Sequence, residues 1–210
     1  MNIKVQVVST GSYYPEKVMT NEEIVNTVDT SDEWIVSKLG IRERRIARDD
    51  EPTSDLAVAA AKQALVSAGM EISQIDLIIV ATATPDRSAP STAAIVQGKL
   101  GKTSAAAFDI NAVCSGYIYA QTVASCMISS GLHSNALVIG ADRFSGITDW
   151  SRRDCCFFGD GAGAVILKKT SSDSEIITQK IYADGSGWEN FTVAAGGSEI
   201  STTVETMRQG

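Results

Sequence analysis

The stretch Ala105-Ala-Ala-Phe-Asp-Ile-Asn-Ala-Val-Cys-Ser-Gly-Tyr117 decides how this chain is read. Its first half is a short apolar run that predicts a buried strand. Its second half opens a segment of about sixteen small and apolar residues that predicts a buried helix. Cys114 therefore falls where a strand turns into a helix. A thiol at a helix N-terminus meets unpaired backbone N–H groups and the positive end of the helix dipole, a setting in which cysteines become nucleophiles. The arrangement predicts acyl chemistry at Cys114. The competing reading is a small buried residue that packs the helix start.

Outward from this point, strand-like and helix-like segments alternate, which predicts an α/β protein with a largely parallel sheet covered by helices on both faces. The expected strands are Ile75 to Ala81, Ala105 to Ile110, Asn135 to Ala141 and Gly163 to Lys168, with the run from Met1 to Val8 as the first strand. Ser54 to Gly69 has helical apolar spacing, a capping serine and a terminal glycine, and predicts a helix. Thr30-Ser-Asp-Glu-Trp-Ile-Val36 carries a cap-like start with acids in its first turn, predicting a short helix that presents Trp34. After about Lys169 the alternation ends in Thr170-Ser-Ser-Asp-Ser-Glu and glycine-containing turns. Residues 1–169 are expected to form one unit, and 170–210 a crossover into something unfinished.

At 210 residues the chain can bury a substantial core, and its net charge of −7 argues against general nucleic-acid or membrane-surface binding. No apolar stretch is long enough to span a bilayer, and the start does not read as a signal peptide. The four cysteines, Cys114, Cys126, Cys155 and Cys156, lack the paired spacing of a zinc site, so no metal is expected and a reducing cytoplasm is the default. Cys126, Cys155 and Cys156 are expected in the core. Phe158-Gly-Asp-Gly-Ala-Gly-Ala164 precedes a strand and lacks a Lys-Ser/Thr ending, so it predicts a tight turn and not a phosphate loop. His133, the only histidine, is expected as a dipole partner or surface residue at a helix C-terminus.

Several ordered motifs resemble those of the β-ketoacyl-acyl-carrier-protein synthase III family, condensing enzymes of the thiolase-like fold. They are Thr30 to Val36 followed by Gly40-Ile-Arg-Glu-Arg-Arg, Ala81-Thr-Ala-Thr-Pro with Pro90-Ser-Thr, Ala107 to Gly116, Phe158 to Ala164, and Ala183-Asp-Gly-Ser-Gly. The resemblance implies the first αβα repeat of that fold with the start of the second. It implies a homodimer, acyl transfer from acyl-CoA to Cys114, and condensation with malonyl-acyl carrier protein with loss of carbon dioxide, initiating fatty-acid synthesis. No cofactor is implied, since acyl-CoA is a substrate. The family's catalytic histidine and asparagine belong to the second repeat, after Gly210, so this chain alone is expected to load an acyl group without completing turnover.

The resemblance further implies that Trp34 and Arg153, or Arg152 in its place, stack on the CoA adenine, with Thr30 and Lys38 in the same substrate-binding group. Lys38 stands where the family often has arginine, and lysine keeps the charge without the bidentate fork. Ala89, before Pro90, replaces a bulky aromatic of acetyl-primed members, which implies a deeper pocket and primers longer than acetyl. The alternatives are a starter-unit synthase of specialised metabolism, and a non-catalytic CoA-binding partner subunit or inert fragment. Thiolases and hydroxymethylglutaryl-CoA synthases also use a cysteine but fit the Trp34 and Cys-Ser-Gly contexts less well.

Overall fold

A computed structural model describes residues 4–101 and 103–208. The first three residues of the expected opening strand and the last two of the C-terminal segment lie outside these. The elements, in order, are β1 (Lys4–Tyr13), β2 (Lys17–Thr20), α1 (Asn21–Val25), α2 (Asp32–Leu39), β3 (Glu43–Ile46), α3 (Thr53–Ala68), β4 (Leu77–Ala81), α4 (Thr92–Leu100), β5 (Ala106–Ile110), α5 (Gly116–Ser129), β6 (Asn135–Arg143), β7 (Asp160–Thr170) and α6 (Val204–Arg208). Five strands form one sheet in the order β1-β7-β6-β4-β5, and β2 pairs with β3 in a separate ribbon.

The sheet is mixed, where the alternating sequence predicted a largely parallel one. β4 pairs in parallel with β5 and β6, while β7 runs antiparallel to both β6 and β1. The reason lies between β6 and β7. A parallel return needs a crossover that spans the sheet. Residues 144–159 instead fold as short 3₁₀ turns at Phe144–Gly146 and Arg153–Phe157, so the chain re-enters the sheet from the end at which it left.

Period-two alternation sorts the central strands between two cores. Ile78 and Val80, with Leu137, Ile139 and Ile166, meet the alanine-rich face of α3, where Leu56, Ala57, Ala60, Ala61 and Ala64 are fully buried. Leu77 and Ile79, with Ala136, Val138 and Leu167, face Ala120, Ala124 and Ile128 of α5. The closest approach is at Gly11 of β1. A Cβ there would lie 2.2 Å from the Ala60 carbonyl and 2.5 Å from the Ala64 nitrogen of α3. Ser9 Oγ fastens the same contact by donating to the Ala64 carbonyl at 2.7 Å.

A third, smaller core joins α1, α2 and the 3₁₀ turn at Arg153–Phe157 through Ile24, Val28, Ile35, Cys155 and Cys156. β1 carries a bulge between Val7 and Ser9, and beyond β7 the chain folds back so that Ile176 N–H donates to the Val5 carbonyl at 2.8 Å. The following segment crosses α5, where the Tyr119 hydroxyl donates to the Tyr182 carbonyl at 2.9 Å. On the α5 face an apolar groove of about 390 Å³ opens between Thr10, Gly11, Tyr117, Gly140 and Val165. No helix among the described residues is long and apolar enough to cross a membrane.

Candidate active site

Because β4, β5 and β6 are parallel, their carboxyl ends share one edge, the edge at which open α/β sheets hold their ligands. Three connections leave from it: residues 82–91 with Ala89, residues 111–115 with Cys114, and residues 144–159 with Arg152 and Arg153. Cys114 is exposed and lies in a 3₁₀ turn, Val113–Ser115, immediately before α5. Val113 holds φ at +46°, a left-handed conformation that a β-branched side chain resists and that stores on the order of 1–3 kcal/mol. Its N–H is tied to Asn111 Oδ1 at 3.3 Å. Gly116 lets the helix start come close to β4, since a Cβ would sit 3.3 Å from that of Ala81. A strained corner thus projects the thiol outward where α5 begins.

Trp34 is placed by α2, whose cap is Ser31, its Oγ accepting from Trp34 N–H at 3.1 Å. The Arg153 guanidinium lies 4.1 Å from the centroid of the Trp34 ring. That is direct cation–π contact. Arg152 points elsewhere, with Nε and Nη2 donating to the two carboxylate oxygens of Asp154 at 3.2 and 3.1 Å. Thr30, just before the cap, has a buried Oγ1 with no hydrogen-bond partner among the described residues. Lys38 is exposed one turn beyond Trp34 and makes no ion pair among the described residues. Trp34, Arg153, Thr30 and Lys38 are gathered around one helix, whereas Cys114 stands on the main sheet and Ala89 on an exposed loop.

Cys126 and Ser54 differ from expectation, whereas His133, Cys155 and Cys156 stand where the sequence placed them. Cys126 is exposed and not in the core, because the buried stripe of α5 falls at Gly116, Ala120, Ala124 and Ile128 and carries position 126 away from the sheet. Ser54 does not cap α3 from outside. It lies in the first turn, where its N–H and Oγ both donate to Asp86, at 2.9 and 2.6 Å. His133 sits past the C-terminus of α5, with Nδ1 3.7 Å from Asp76 Oδ1. The length of α5 puts it about 21 Å from the thiol. Cys155 and Cys156 are fully buried, and burial pushes both thiols up.

Two features of this edge escaped sequence reasoning. Asp142, at the end of β6, accepts through one oxygen from Thr82 Oγ1, Ala83 N–H and Thr84 Oγ1 at 3.1, 2.8 and 3.0 Å. Burial nevertheless raises its carboxyl above the usual range. Phe144, Phe157, Phe158 and Phe191 form an aromatic cluster, with Phe144 and Phe158 stacked at 5.2 Å. No spacing rule joins residues so far apart.

The fold is that of the thiolase-like condensing enzymes. Residues 108–185 match the family model described as 3-oxoacyl-[acyl-carrier-protein (ACP)] synthase III. The chain is 50% identical over 203 residues to a β-ketoacyl-[acyl-carrier-protein] synthase III of Ehrlichia canis, covering 96% of this chain and 63% of that one. It is 47% identical over 216 residues to its counterpart from Paramagnetospirillum magneticum, covering 100% of this chain and 67% of the relative. The crystal structure of 3-oxoacyl-[acyl-carrier-protein] synthase III from Aquifex aeolicus superposes with a TM-score of 0.84 at 46% identity, over 87% of this chain and 59% of that one. The chain belongs to the β-ketoacyl-[acyl-carrier-protein] synthase III family. It spans less than two thirds of the length of the first of these relatives.

Proposed function

We propose that this chain carries the acyl-loading half of a synthase that initiates fatty-acid synthesis. The Cys114 thiolate attacks the carbonyl of an acyl-CoA, a new thioester forms at Sγ, and CoA leaves as its thiol. The acyl group then passes to the carbanion formed when malonyl-acyl carrier protein loses carbon dioxide. The loading step as written draws on the thiol and the substrate thioester, without a metal or redox cofactor. The observation that carries the reading is the strained Val113 corner holding Cys114 exposed at the start of α5, at the edge where three loops converge.

The Trp34–Arg153 pair is the adenine clamp of the same reading. With the guanidinium 4.1 Å from the ring the clamp is closed, and a base entering between them must part the two by about 3.5 Å, one aromatic thickness. Lys38 offers a cation for phosphate, and the Thr30 hydroxyl, buried and unpartnered while the clamp is closed, becomes available to a base only as the clamp opens. The small side chain of Ala89 favours primers longer than acetyl. A cytoplasmic homodimer completes the proposal. Its support is that β5 forms an unbulged edge of the sheet, suited to meet the same strand of a second copy.

The decisive experiment is intact-mass analysis after incubation with acetyl-, butyryl-, hexanoyl- and octanoyl-CoA. The expected result is one acyl group per chain, absent in Cys114→Ala, with a longer chain preferred over acetyl. No adduct from any acyl-CoA would overturn acyl loading and favour a non-catalytic CoA-binding subunit. Preference for acetyl-CoA would overturn the reading of Ala89 alone.

A further inference from the structure

Arg44 of β3 is 6% exposed, and among the described residues no carboxylate forms an ion pair with it. Burial lowers its proton affinity, and its Nε has no partner among the described residues. A buried cation held this way is costly to keep. What it does is join two elements. Its Nη2 donates both to Asn21 Oδ1 at 2.8 Å and to the Cys156 carbonyl at 3.1 Å, while Nη1 donates to the Met19 carbonyl at 3.3 Å.

Each end of that bridge leads to one half of the Trp34–Arg153 stack. Asn21 is itself buried, and its Nδ2 donates to Asp32 Oδ1 at 2.7 Å and to the Ile41 carbonyl at 2.9 Å, so it grips α2 at its first turn and just past its last. On the other side, Cys156 Sγ donates to the Arg153 carbonyl at 3.1 Å. The bridge can be this short because Gly159 admits β3. A Cβ there would lie 2.9 Å from Arg44 Cβ and 3.2 Å from the Arg45 carbonyl.

We propose that Arg44 is the positioning residue of the Trp34–Arg153 pair. Its Nη2 group locks the helix that carries the indole to the turn that carries the guanidinium, in the register where the two stack, while Nη1 anchors the plane on the Met19 carbonyl. The consequence for CoA rests on the proposed clamp, but the positioning does not. A lysine could keep the charge but has no planar pair of nitrogens with which to hold the Met19 carbonyl on one and Asn21 with the Cys156 carbonyl on the other.

The test uses the protein labelled with 5-fluorotryptophan, the Trp34 fluorine resonance being assigned by Trp34→Phe. Arg153→Ala defines the shift that accompanies loss of the cation. Arg44→Met, which keeps the apolar stem and removes every donor, is expected to move the resonance most of the same distance, and Arg44→Lys to move it part of the way. Should Arg44→Met fail to fold, Asn21→Leu cuts the bridge from its other end and carries the same expectation. A Trp34 resonance left at its wild-type position in a folded Arg44→Met or Asn21→Leu protein, while Arg153→Ala moves it, would overturn the inference.

Calorimetric titration with CoA separates this from the clamp. Arg44→Met is expected to weaken CoA about fivefold to tenfold, the worth of a cation–π contact, with the rate of Cys114 alkylation by iodoacetamide unchanged. If Trp34→Ala and Arg153→Ala leave CoA affinity unaltered, the clamp falls and the fluorine result alone decides for or against Arg44. If they weaken it and Arg44→Met does not, the positioning role falls.

Discussion

At Val113 the backbone holds a conformation that its own side chain opposes, and the next residue is the thiol. Glycine would relieve that opposition and loosen the corner. Val113→Gly is therefore expected to change stability by less than about 1 kcal/mol in urea unfolding, relief of strain offsetting the added chain entropy, while Cys114 acylation slows. Asp142 offers a second test. Its carboxyl is raised in the folded protein by burial, so its contribution to stability is fully present below the unfolded-state value and is lost as pH rises through the folded one. In Asp142→Asn one oxygen can still accept the three bonds that now converge on the carboxylate, and no charge is buried. The variant's stability relative to wild type is expected to grow as pH rises above about 4, the unfolded-state carboxylate range, read from denaturant midpoints over a pH series. A constant difference would show that Asp142 titrates alike in both states.

Among the elements, α3 and β1 meet with no space between backbones. Gly11→Ala would force a methyl group against the carbonyl of Ala60 and the nitrogen of Ala64, neither of which can rotate away. A loss of about 3 kcal/mol is expected in denaturant unfolding. The elements that the sequence made legible are those whose signal is local. The apolar spacing of α3, the Ser31 cap of α2 and the apolar runs of β4, β5 and β6 each sit within one segment. β7 was legible as a strand but not in its direction, because direction depends on whether residues 144–159 cross the sheet. The exposure of Cys126 could have been found from the four-residue spacing of Gly116, Ala120, Ala124 and Ile128. Likewise the pattern of β3, which buries Arg44 and Ile46 on one side, carried a hint that an arginine points inward. The stack of Arg153 on Trp34 had no local signal. It forms only once the third small core has brought the 3₁₀ turn onto α2, and resemblance alone had pointed to it.

For the molecule as a whole, the two sides of the sheet end differently. The β1 side is bulged between Val7 and Ser9, and the chain beyond β7 is already hydrogen-bonded to it at Val5. The β5 side is regular throughout its register with β4. Bulged and covered strands resist further pairing, and regular ones invite it. In solution the expected species has twice the 22.2 kDa mass of the chain, measured by light scattering, and Phe108→Pro in β5 is expected to return it to the single-chain mass. The blunted strand also sets an upper bound on growth. Once two copies have met through β5, both outer borders of the joined sheet are β1 strands, and neither can nucleate a third layer of pairing. In that proposed pair one extra residue near the start of the chain would act as a terminator, making assembly a finite act and keeping a sheet rich in valine and isoleucine from propagating into a fibre.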